Sequence, residues 1–170
     1  MKKLIAIIPL IALIQGCVTG QLITADTMVQ NFEIAENKDT VFDAALTVAQ
    51  LQNLDVSVLE KDSGLIRFEA ASLSAGQLDQ YCEYPAINPT TGQPWDTFQN
   101  WNIRSTQGNM GQVRGRVSIT LLISEEGIEE SNVNMRSNWT AFNSTESNLC
   151  NSTGVLEREY IAGIRAHLAN

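Results

Sequence analysis

Few residues in this chain of 170 have the types and spacing that chemistry demands. Three cysteines, at positions 17, 82 and 150, offer thiols for acylation, disulfide formation or redox exchange. No C-x-x-C motif occurs, so a dithiol redox pair has no signature here. His167 is the sole histidine. One imidazole cannot build a multi-histidine metal site, and no G-x-S-x-G nucleophile elbow accompanies it. It reads as a cation in the last turn of a helix, where the dipole favours it. Glu125, Glu126, Glu129 and Glu130 surround Gly127 without the alternating ligand spacing of an EF-hand, so they read as a solvated hairpin tip. Neither a P-loop nor G-x-G-x-x-G is present. These residues imply no metal and no cofactor, and no catalysis is expected of them.

Two further groupings suit binding. Residues 83–112 form a long connection carrying Pro85, Pro89 and Pro94, and it holds Tyr84, Trp95, Phe98 and Trp101. Structureless connections beyond about 12–15 residues are often functional, and aromatics supply large contact area at low entropic cost. The segment is a recognition loop for a protein, glycan or peptidoglycan partner, or it folds Trp95 and Trp101 back into its own core. Arg104, Arg114, Arg116 and Arg136 are the chief cations of the middle region. Arg116 and Arg136 are expected to meet across paired strands, holding an anionic group or balancing nearby acids. Asn138, Asn143 and Asn151 each open an N-x-[ST] triplet, in a region rich in Asn, Ser and Thr.

The elements that must position these residues follow from hydrophobic periodicity. A first strand is expected over 29–35. A helix begins at Asp39 or Thr40, with Val41, Phe42, Ala45, Leu46 and Ala49 at helical spacing. Residues 56–60 and 65–73 read as a hairpin around a 61–64 turn. The clearest alternation runs over 116–124, with Val117, Ile119, Leu121 and Ile123 on one side; 132–142 is its partner, with Val133, Met135, Trp139 and Ala141 inward. A closing helix spans 154–168, with Leu156, Tyr160, Ile161, Ile164 and Leu168 as its stripe. The predicted fold class is α+β: one antiparallel β-sheet with two helices packed on one face. Composition agrees with a single domain, being 44% hydrophobic and 18% charged. A net charge of −8 argues against nucleic acid as a partner.

The amino terminus carries the most specific pattern. Lys2 and Lys3 precede an apolar run from Leu4 to Ile14, too short to span a bilayer, and the run ends in Leu13-Ile14-Gln15-Gly16-Cys17. With Ile14 at −3, Gly16 at −1 and Cys17 at +1, this segment resembles the lipobox of bacterial lipoprotein precursors. The resemblance implies a signal peptide over 1–16, a lipidated Cys17 with a tether over 17–27, and a single α+β domain over 28–170. Val18, where inner-membrane retention often calls for Asp, points to the periplasmic face of the outer membrane. Loss of Lys2 and Lys3 takes the net charge from −8 to −10, so acyl chains rather than electrostatics must hold the protein to anionic lipid. An exported chain enters an oxidising compartment, where Cys82 and Cys150 are left as an even pair and a disulfide is expected. The layout also resembles small envelope lipoproteins, such as those accessory to outer-membrane assembly, and helix-grip folds. It implies a lipid-anchored envelope protein acting as a binding or scaffolding module with an envelope protein partner. The alternatives are a carrier of a small apolar ligand between sheet and closing helix, or a hydrolase of wall or lipid.

Overall fold

The computed structural model describes residues 21–22 and 28–169. The signal segment, Cys17 and most of the tether lie outside the described residues. Strands β1 (Gln21–Leu22), β2 (Met28–Ile34), β3 (Asp55–Glu60), β4 (Leu65–Ser74), β5 (Ala86–Ile87), β6 (Arg114–Gly127), β7 (Glu130–Phe142) and β8 (Ser147–Cys150) alternate with helices α1 (Lys38–Leu51), α2 (Ala75–Tyr81), α3 (Phe98–Gln107) and α4 (Val155–Leu168). The main sheet is antiparallel and runs β2-β7-β6-β4-β3, with β8 beside β7. β2 and β8 share one edge of β7: β2 pairs with Ser131 to Ser137, and β8 with Trp139 to Phe142.

The β6–β7 hairpin shows why this sheet forms. Val117, Ile119, Leu121 and Ile123 are buried, and across the ladder they meet Trp139, Ser137, Met135 and Val133. Period-two alternation thus places one apolar face inward on both strands. The hairpin is longer than the sequence suggests. A bulge between Glu125 and Gly127 carries β6 past the expected turn, which falls at Ile128 and Glu129. In the β3–β4 turn Gly64 adopts φ +73°, and a Cβ there would strike the Ile123 carbonyl.

Helix α1 buries Val41, Phe42, Ala44, Ala45, Val48 and Ala49. Its cap is Asn37 rather than the expected Asp39 or Thr40. The Asn37 side chain accepts from the Thr40 backbone N–H at 3.0 Å, leaving Asp39 in the first turn, where a carboxylate complements the helix dipole. α1 contacts β6 and β7, and α4 contacts α1. The α1–α4 seam is closed by Tyr160, whose hydroxyl donates to the Ala45 carbonyl at 2.6 Å and whose ring meets Phe68. Burial pushes the Tyr160 hydroxyl far above its ordinary titration range, so it stays a donor.

The structure differs from the two-helix expectation in having four helices among the described residues. α2 follows β4 directly, started by a capping box between Ser74 and Gln77. α3 lies inside the 83–112 stretch that reads as a loop. Thr97 caps it, accepting from the Asn100 N–H at 3.1 Å. Asp79 of α2 adds a second cap, accepting from the N–H groups of Phe98 and Gln99. Gln21 and Leu22 pair with Ile87 and Ala86.

Cys82 and Cys150 form the expected disulfide, with Cα atoms 5.9 Å apart. It ties the end of α2 to β8 and so to the entry of α4. Backbone bonds reinforce it: the Glu83 N–H donates to the Asn151 carbonyl at 2.8 Å, and the Thr153 N–H to the Tyr81 carbonyl at 3.0 Å. Closing 68 positions lowers the entropy of the unfolded chain by an amount worth about 4 kcal/mol in the chain-entropy model. The paired substitution Cys82→Ser, Cys150→Ser is therefore expected to cost about 2–4 kcal/mol in urea denaturation. An unchanged denaturation midpoint would show that the flanking backbone bonds hold this corner alone.

Candidate functional site

The aromatic segment divides between core and surface. Thr97 and Asp79 start α3 so that Phe98, Trp101 and Ser105 turn inward. Phe98 and Trp101 are buried, and with the half-buried Tyr84 they form a cluster of tilted and edge-on rings with centroids 5.3 to 6.3 Å apart. Of the four candidate partner-binding residues, only Trp95 presents a wide surface, at 50% exposure. Polar groups lock the cluster. Ser105 donates to the Gly111 carbonyl at 2.6 Å, Asn143 donates to Ser105 at 3.0 Å, and Asn102 accepts from the Val113 N–H at 2.8 Å. The periodicity of Phe98, Trp101 and Ser105 is a helical signal, but it is short and sits among polar residues.

The outer face of the main sheet is the larger surface. None of the described helices covers it. Arg67, Arg114, Arg116 and Arg136 all project there, beside the exposed Leu122 (46%) and Leu149 (59%). Arg116 and Arg136 do not meet as expected. The register sets Arg116 opposite Thr140 and Arg136 opposite Thr120, with the Ser118–Asn138 pair between them. Nor do they balance acids, since among the described residues neither lies within ion-pair distance of a carboxylate. Arg67 sits across Thr120 from Arg136, bonded to Ser118 at 2.9 Å and to Glu69 at 3.8 Å. A shallow hollow of about 330 Å³ opens on this face between Arg116, Thr140, Phe142, Asn143 and Ser147. Leu122 is the sequence signal for this surface, an apolar residue on the wet side of an alternating strand.

On the other side of the sheet, a cavity of about 260 Å³ lies between β4, β6, α2 and α4. Leu54, Ala70, Leu73, Val117 and Leu156 make it apolar, while Gln52, Gln77, Tyr81 and Glu159 give it polar groups. Tyr81 donates to Glu159 at 3.3 Å; burial, then the Glu159 charge, raises its hydroxyl above the ordinary value. The Gln52 Oε1 atom is buried without a hydrogen-bond partner. Residues from four elements and the α1–β3 connection line the space, so no local pattern announces it. Among the described residues no group of His, Cys, Asp and Glu is placed to hold a metal ion. No helix among them is long and apolar enough to cross a membrane.

No family model and no curated protein matches the chain. What it can do is therefore read from these surfaces.

One electrostatic device supports the aromatic cluster. Asp96 pairs with Arg104 in the last turn of α3 and accepts from the Thr97 N–H at 2.8 Å. Burial opposes its charge, but the Thr97 N–H, the Asn100 side chain and the Arg104 guanidinium outweigh that and hold its carboxyl below the ordinary 3.8. Its folded pKa thus lies below its unfolded one. The stability it contributes is complete above the ordinary carboxylate range and is lost as pH falls through the folded value. Asp96→Asn is expected to cost about 1 kcal/mol near pH 7 in urea denaturation, with the difference from wild type closing as pH falls below the ordinary carboxylate range. A cost that stays constant across that range would remove the charge from the account.

Proposed function

We propose that this chain is a lipid-anchored protein of the bacterial cell envelope, held on the periplasmic side of the outer membrane through Cys17, and that it acts as a binding module. The outer sheet face receives the partner. The observation that carries this reading is the charge of that face: four arginines gather there in a chain of net −8. The acids of the face lie on β2, β3 and β4: Glu33, Asp55, Glu60 and Glu69, the last paired with Arg67, which leaves Arg114, Arg116 and Arg136 on the central strands β6 and β7. Exposed Leu122 and Leu149 supply apolar contact beside the cations. Such a surface suits an envelope protein that presents carboxylates around an apolar centre.

A photoreactive aromatic at position 122 of the full-length protein, irradiated in cells, tests this. The expected result is one discrete protein adduct, reduced about tenfold by the pair Arg116→Glu, Arg136→Glu, because like charges at an interface repel. An anchored, folded protein that yields no adduct from position 122 would overturn the docking face.

The inner cavity favours a second reading, a carrier of a small amphipathic ligand. Its apolar walls and the unpartnered Gln52 Oε1 suit a molecule with one hydroxyl or amine donor. Native mass spectrometry of protein purified from its own host is expected to show a bound mass, and Leu73→Trp, which fills the space, to remove it. An apoprotein mass alone would eliminate the carrier.

A further inference from the structure

Resting on the lipid-anchor reading, we infer that the hairpin over residues 86–95 lies against the bilayer surface, with the Trp95 indole in the interfacial zone of the lipid. Three observations place it there. The first is the length of the tether. Gln21 pairs with Ile87, and Leu22 with Ala86, so only four residue steps separate the acyl-bearing Cys17 from β5. Fully extended, they reach about 14 Å. The polar zone on each side of a bilayer is itself roughly 5–8 Å deep. The β1–β5 ribbon is thus confined next to the lipid rather than suspended away from it.

The second observation is charge. Glu83 and Asp96 bracket a stretch, Tyr84 to Trp95, with no charged residue in it. The mature chain carries a net charge near −10, so most of its surface is repelled by anionic headgroups. The uncharged hairpin meets no such repulsion of its own. Asp96, at its base, is turned away into the ion pair with Arg104, with its side chain 10% exposed.

The third is the hairpin's own build. Its tip, Pro89 through Pro94, is exposed, yet its backbone bonds are closed internally. The Asn88 N–H donates to the Gln93 carbonyl at 2.8 Å, the Gly92 N–H to the Asn88 carbonyl at 2.9 Å, and the Trp95 N–H to the Ala86 carbonyl at 2.8 Å. Asn88 Oδ1 accepts from the Thr90 N–H at 2.9 Å. A segment entering the headgroup region loses water from its backbone, and these bonds remove much of that cost. Trp95 is the one tryptophan of the three that is not buried. An indole with an apolar body and one N–H donor is the side chain suited to that depth.

The test uses the full-length, host-processed protein in vesicles of phosphatidylethanolamine with a minority of phosphatidylglycerol, with or without bromine on the acyl chains. Intact mass first establishes whether Cys17 is acylated. Tryptophan emission is then compared with that of Trp95→Phe, so that the buried Trp101 and Trp139 are subtracted. The expected result is a blue-shifted Trp95 component that brominated lipid roughly halves, while Trp101 and Trp139 emission is unaffected. Thr91→Asp, which puts a charge in the tip, is expected to weaken that quenching. Acylated, vesicle-bound protein whose Trp95 emission ignores bromine would overturn the inference and leave the anchor reading standing. A mass without acyl chains would overturn both.

Discussion

The β6–β7 hairpin is the constraint on which the other elements depend. Its two strands pair over almost their whole length, and each has a single buried face. Because side chains alternate with a period of two, one register decision fixes both faces together. The inner face receives α1 and α2, and the outer face is left carrying arginines and two exposed leucines. A slip of β6 by one residue would bury Arg116 and expose Val117 and Ile119. The charged outer face therefore also helps specify the fold.

The inner face contains one feature that packing alone does not require. Glu157 of α4 is buried, accepting from the Ser137 hydroxyl, which in turn accepts from the Trp139 indole N–H at 3.1 Å. Its other oxygen, Oε2, has no partner. A buried unsatisfied acceptor costs about 1–3 kcal/mol, part of which its place in the first turn of α4 offsets through the dipole. What the chain gains is position. Only one rotation of α4 brings Glu157 to Ser137 and Tyr160 to the Ala45 carbonyl at once. The disulfide just before α4 fixes the entry of the same helix. Two polar contacts and one covalent bond thus set where the helix lies, and with it the wall of the inner cavity formed by Leu156 and Glu159.

Much of this was legible where a pattern was long and apolar. The β6 and β7 alternation, the α1 and α4 stripes and the β3–β4 turn all repeat a single period over enough residues to exceed chance. The pairing of Cys82 with Cys150 followed from counting thiols. What escaped was short or non-local. α2 has seven residues with a glycine in the second position, and α3 has only Phe98 and Trp101 as apolar inward residues. Its second cap, Asp79, comes from another helix nearly twenty residues away. The separation of Arg116 from Arg136 is a matter of register, which composition does not encode. The cavity is assembled from side chains that are neighbours only in space. Glu157 reads as a favourable first-turn acid, and nothing local announces that the sheet buries it.

The surfaces divide by charge, and the division has a physical consequence for an anchored domain. A strongly acidic protein close to anionic lipid experiences repulsion over about one Debye length, roughly 8 Å at physiological ionic strength. With Cys17 lipidated as proposed, the four residue steps to β1 would keep the domain near that range, so its orientation would follow from which part of the surface tolerates it. The uncharged hairpin around Trp95 does. The outer sheet face attracts anions, so an anionic membrane and a carboxylate-bearing partner would compete for it. With the hairpin seated at the lipid as inferred, the two roles would fall to different elements, since β1 and β5 form a separate two-stranded ribbon and the arginines belong to the main sheet. On the proposed reading one element would meet the lipid and the other would stay available to a partner, the arrangement that a binding module on a short leash requires.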